Sequence, residues 1–142
     1  MKKRFLGLLA VLAVLVGLTG CTFEPQSEIV ISNDYTVING YTVKSISLYD
    51  SNGIADVSGF EPTYKSGILE FSGLPGGYNA ETSIWAFATG TVRLVCEYVS
   101  NGSGSDGSVE LTFEIVEAGE THHVSFCPDK ANGNVPKLVL ID

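Results

Sequence analysis

The clearest pattern along the chain is a strict alternation. Val109, Leu111, Phe113 and Ile115 alternate with Glu110, Thr112 and Glu114. Side chains of a strand point to opposite faces in turn, so this segment predicts a strand with one dry and one wet face. In Thr91–Val99, the residues Val92, Leu94, Cys96 and Tyr98 likewise share one face. Further apolar segments are separated by turn signals. They are 29–31, 35–38 running into Asn39-Gly40, 41–49, 68–72, 82–88, 121–126 and 135–141. Asn39-Gly40 predicts a two-residue type I′ hairpin. Residues 54–66 show no sustained period and read as irregular. Residues 82–88 are apolar at both parities, as in a strand buried on both faces. Pro128 is expected to stop the strand before it, because proline gives no donor to a ladder. The pattern yields eight or nine strands and no helix after residue 21. Strands at this spacing predict an all-β, antiparallel β-sandwich, of immunoglobulin-like or prealbumin-like type. Val92, Leu94, Val109, Leu111, Phe113, Ile115 and Trp85 are its expected core.

The first twenty residues follow a different rule. Met1-Lys2-Lys3-Arg4 is a positive cluster, and Phe5–Leu18 carries no polar side chain. As a helix, fourteen residues reach roughly 21 Å, short of the ~30 Å hydrocarbon core, which favours a removable secretory signal over a membrane span. The run ends in Leu18-Thr19-Gly20-Cys21, which resembles the bacterial lipobox. The resemblance implies cleavage before Cys21, a diacylglycerol group on its thiol, and acylation of the new amine with palmitate or a similar chain. The expected organisation is a signal peptide at 1–20, a lipidated Cys21 with a short polar tether over 21–27, and one β-sandwich domain over 28–142. The membrane anchor is then the lipid on Cys21, and the location is the cell envelope.

Charge removes one class of partner. Loss of Lys2, Lys3 and Arg4 with the signal takes the net charge from −8 to −11. Nucleic acid is not an expected partner, because phosphate recognition needs clustered Lys and Arg. Two segments carry a second resemblance. They are Ser47-Leu48-Tyr49-Asp50-Ser51-Asn52-Gly53 and Leu69-Glu70-Phe71-Ser72-Gly73-Leu74-Pro75-Gly76-Gly77-Tyr78. Both are similar to turn segments of prealbumin-like modules in bacterial surface proteins, such as collagen-adhesin B-type and carboxypeptidase regulatory-like domains. The second departs from that pattern in the spacing between its glycines and the Tyr. The resemblance covers under twenty residues, and it implies an accessory or adhesive role with no catalytic residue.

Chemistry-bearing residues are few. Cys96 and Cys127 remain once Cys21 is lipidated, as a disulfide or as two free thiols. In a simple meander they fall two strands apart, about 9.6 Å, beyond bridging range, and Cys127 is out of phase with Val124 and Phe126. His122 and His123 are adjacent on a strand and point to opposite faces, so one ion does not readily take both. Asp50, Asn52 and Glu61 fall at the first, third and twelfth places of an EF-hand loop, but Ala55 stands where its glycine belongs. The expectation there is an Asp-initiated turn, with a cation among Asp50, Asn52, Asp56 and Glu61 as the alternative. A ligand, if any, is expected in loops 50–66 or 100–108. Six tyrosines and Trp85 could stack a sugar, although packing explains most of them. No nucleophile elbow, phosphate loop or dinucleotide fingerprint occurs. The sequence thus reads as a lipid-anchored lipoprotein with a binding or structural module, not an enzyme and without a cofactor. Its expected partner is an envelope protein or glycan. The alternatives are a small envelope hydrolase or a subunit of an envelope assembly.

Overall fold

A computed structural model describes residues 25–36, 40–66 and 69–142. The signal peptide, the lipobox with Cys21, and the first part of the tether lie outside the described residues. The strands are β1 (Glu28–Asn33), β2 (Tyr41–Asp50), β3 (Ala55–Phe60), β4 (Thr63–Ser66), β5 (Leu69–Ser72), β6 (Leu74–Pro75), β7 (Glu81–Trp85), β8 (Gly90–Ser100), β9 (Gly107–Ile115), β10 (Thr121–Asp129) and β11 (Val135–Leu140). The one helical piece among the described residues is a 3₁₀ turn at Lys130–Asn132. One sheet has the order β11-β10-β1-β7. The other has the order β3-β2-β8-β9, with β6 added beside β2. β4 and β5 form a separate two-stranded ribbon. The fold is an all-β sandwich.

Most pairings are antiparallel, but β1 lies parallel to β10, from Glu28 beside Thr121 to Asn33 beside Phe126. β1 therefore pairs with β10 and β7 and not with β2. In an immunoglobulin constant domain the first strand shares a sheet with the second. Here the chain changes sheet between β1 and β2. The expected Asn39-Gly40 hairpin falls on residues 37–39, which lie outside those described.

The core lies between the sheets. β1 contributes Ile29 and Ile31, β2 contributes Val43, Ile46 and Leu48, β8 contributes Val92, Leu94 and Cys96, and β10 contributes Val124 and Phe126. Phe113 and Ile115 are buried, while Val109 and Leu111 are partly buried against them. Glu110, Thr112 and Glu114 are exposed, as the alternation demands.

Trp85 departs from expectation: it is 60% exposed. β7 is the edge of its sheet, and Ile84 fills the inward position, so its neighbour points to solvent. The supposedly irregular residues 54–66 hold β3 and β4. β3 carries no hydrophobic period because nearly all of it is exposed at an edge. β10 runs through Pro128, where the sequence predicts a stop. Its pairing with β1 ends at Phe126, so Pro128 has a single neighbour, Pro136 of β11. Neither nitrogen is needed at a non-hydrogen-bonded pair of an antiparallel ladder.

The strand directions define two ends. The Ser27 end holds the start of β1 and β10, the finish of β7, β9 and β11, and the turn 51–54 between β2 and β3. The far end holds the β1–β2 link, the loop between β8 and β9, and the β10–β11 connection. Of the two irregular stretches singled out by sequence, 50–66 turns at the Ser27 end and then runs back along β2 to Pro62 and Thr63 beside Gly73, while 100–108 lies at the far end.

Candidate functional site

Ser27, the last residue of the expected tether, is fully buried and belongs to the domain. Its hydroxyl donates to Ala88 O at 3.0 Å and accepts from Gly119 N at 3.2 Å. Ala86 N donates to Ser27 O at 2.7 Å. One residue thus stitches the chain entry to the β7–β8 connection and to the turn before β10. In that turn Glu120 accepts from Val116 N and Glu117 N, each at 3.2 Å.

His122 sits at the same end. Its ring faces inward with Phe113, at a centroid distance of 5.4 Å. Nδ1 lies 2.5 Å from Asp142 Oδ2, and Nε2 lies 3.3 Å from Glu120 Oε2 without hydrogen-bond geometry. Burial pushes the Asp142 carboxyl up, but bonds from His123 N–H and the His122 ring outweigh this and hold it below its ordinary value. The arrangement fixes the last residue onto β10. His123 points to solvent. Cys127 is five residues along the strand from His122, about 17 Å, so the two cannot form a nucleophile–base pair.

The cation candidates are not gathered. Asp50 Oδ1 accepts from Asn52 N at 2.8 Å and Ile54 N at 2.7 Å, so its side chain closes the β2–β3 turn. Asp56 is on β3, where partial burial raises its pKa, and Glu61 follows that strand. Among the described residues no group of three or more His, Cys, Asp or Glu side chains could hold a metal ion.

Cys96 and Cys127 are both free. Cys96 is on the inner face of β8, whereas Cys127 points out from β10 in the other sheet. A bridge would need one of them to cross its own sheet. Burial pushes the Cys96 thiol up to about 12, so it stays protonated and inert. A water-soluble thiol reagent should therefore modify Cys127 in the native protein and Cys96 only after denaturation. Peptide mass mapping distinguishes this from native labelling at Cys96 or from a disulfide.

Cys127 opens on a shallow groove of about 670 Å³ at the far end, lined also by Asp34, Thr36, Asp129, Lys137 and Val139. Asp129 is held below its ordinary value, first by a bond from Asn132, and it pairs with Lys137 at 3.5 Å. Asp34 accepts a hydrogen bond from Ser125. The acidic groups of the groove are thus engaged, Asp129 with Lys137 and Asn132 and Asp34 with Ser125.

The aromatics are mostly structural. Tyr35, Tyr41, Tyr98 and Phe126 form one cluster between the sheets, with centroids 5.3 to 5.7 Å apart. Tyr64 packs on Tyr78, and Arg93 covers Tyr49 at 4.7 Å. Trp85 and, on the edge strand β3, Phe60 are exposed. Sequence reading missed Asn33, which is 2% exposed. Its amide donates to Tyr41 O at 2.9 Å and Leu74 O at 2.6 Å, and its oxygen accepts from Tyr35 N at 3.2 Å. It clamps β1 to both β2 and β6 across the sandwich. No family model matches the chain, and neither a curated protein nor a solved structure matches it.

Proposed function

We propose that the protein is a lipid-anchored lipoprotein of the cell envelope whose β-sandwich is a binding or structural module. The observation that carries this reading is the ordered series at the N-terminus: a basic start, fourteen apolar residues and Leu18-Thr19-Gly20-Cys21. The folded domain fits this reading in one respect: Ser27, six residues after Cys21, is already buried in the sandwich, so only a short tether separates the domain from a lipid on Cys21. Within the sandwich class, pairing of β1 with β10 favours the prealbumin-like alternative over the immunoglobulin-like one. The partner is an envelope protein or glycan.

Two or more acyl chains hold a protein stably in a bilayer, at about 0.8 kcal/mol per buried CH₂. In detergent phase separation the protein from cells should enter the detergent phase, and Cys21→Ala should not. Equal partition of the two forms into the aqueous phase would refute the anchor.

A further inference from the structure

Seven large hydrophobic residues are exposed among those described, and four of them lie at the Ser27 end: Ile54, Trp85, Val116 and Ile141. Scattered exposed hydrophobics are ordinary. These four mark the corners of one end. Trp85 ends β7 opposite Glu28, the first residue of β1. Val116 follows Ile115, which faces Gly90 at the start of β8. Ile54 O accepts from Asp50 N at 3.0 Å in the β2–β3 turn, and Ile141 N donates to His123 O at 2.9 Å just past β11. Ile54 and Ile141 stand within about 7 Å of the strand ends. β11 and β7 are opposite edges of one sheet, and β9 and β3 are opposite edges of the other. The edges β9 and β11 adjoin. Each corner therefore carries one apolar side chain, 56% to 72% exposed.

The length of the leash says what meets this end. A Cβ built on Gly119 would come 3.2 Å from Pro25 Cγ, so the chain still lies on the domain at Pro25. Four Cα-to-Cα steps then separate Pro25 from Cys21, an extended reach of about 14 Å at most. The polar layer on each side of the hydrocarbon core is about 6 Å thick. A lipid on Cys21 thus leaves the Ser27 end under about 10 Å of slack from the headgroups. We propose that this end is a lipid-docking face, with Ile54, Trp85, Val116 and Ile141 resting in the headgroup–acyl boundary of the membrane that holds Cys21. Trp suits that depth, having an apolar body and a polar N–H. The hydrogen bonds of Ser27 and Glu120 hold the end rigid, so docking costs little ordering. Glu28, Asp50, Glu117, Glu120 and Asp142 share this end and repel anionic headgroups, which selects a zwitterionic surface. Docking also aims the far end, with its groove, away from the bilayer.

The inference rests on lipidation of Cys21, and the test separates the two. Trp85 is the only tryptophan in the sequence, so intrinsic fluorescence reports on this corner alone. Protein extracted from membranes, with its mass determined, is reconstituted into phosphatidylcholine nanodiscs whose acyl chains carry bromine near the headgroup. Docking predicts a blue-shifted Trp85 emission quenched by the bromines. The triple variant Ile54→Ser, Val116→Ser, Ile141→Ser alters no buried residue and should lose most of that quenching. A lipidated protein whose Trp85 emission is water-like and unquenched overturns the docking face while leaving the anchor intact, as does quenching unchanged in the triple variant. A mass without lipid overturns both.

Discussion

Truncating Phe126 to Ala will lower the folding stability by about 3 to 5 kcal/mol, the usual cost of removing a fully buried Phe. Phe126 is 0% exposed and is the largest of the fully buried side chains. It projects from β10 between the sheets, with Tyr35 at 5.6 Å and Tyr98 at 5.7 Å. Tyr35 cannot simply collapse into the space. Its hydroxyl donates to Asn134 O at 2.8 Å, and burial holds that phenol protonated, well above its ordinary value. The loss thus combines transfer of the ring with a cavity that its neighbours fill poorly. Urea denaturation of the mature protein gives the number. Val139→Ala, on the exposed face of β11, should change it by less than about 0.5 kcal/mol. Equal losses from the two would mean that the facing of β10 and β11 is misassigned.

Asn33→Ala will cost about 2 to 4 kcal/mol, because it strands three backbone groups at once. Tyr41 O and Leu74 O lose their amide donor and Tyr35 N loses its acceptor. Leaving a buried group unsatisfied costs about 1 to 3 kcal/mol, and water reaching one of them limits the sum. Asn33→Asp will be at least as damaging at neutral pH. A carboxylate cannot donate to two carbonyls, and its charge would be buried beside them. Denaturation of both variants tests this. A benign Asn33→Asp would show that the amide does not bridge the sheets.

Both residues bear on what could be read from sequence. β8 and β9 were legible because each has one wet and one dry face, so parity alone separates Phe113 from Glu114. β7 was not, because Ile84 and Trp85 are both apolar. Parity cannot tell a strand buried on both sides from an edge strand whose outer face meets solvent or membrane. β3 was missed because an exposed edge strand has no hydrophobic face to betray it. Pro128 misled because the rule against proline within sheets assumes two neighbours, and the far end of β10 has one. The parallel pairing of β1 with β10 has no local signature at all, since alternation reports faces and not partners. Asn33 was invisible for the opposite reason. An Asn before an Asp reads as a turn, and only the approach of Tyr41 and Leu74 makes it a clamp. Asp50 was legible as the start of a turn, because an Asp followed by Ser-Asn-Gly bonds its own backbone, and its Oδ1 does accept from Asn52 N and Ile54 N.

The central claim is that Cys21 joins this sandwich to a membrane, and the intact mass of protein extracted from cell membranes tests it most directly. The account predicts a chain lacking residues 1–20 and heavier than its sequence by a diacylglyceryl group, with or without a third acyl chain. A chain that begins at Thr22 or later, or one that keeps Cys21 without added mass, would contradict it.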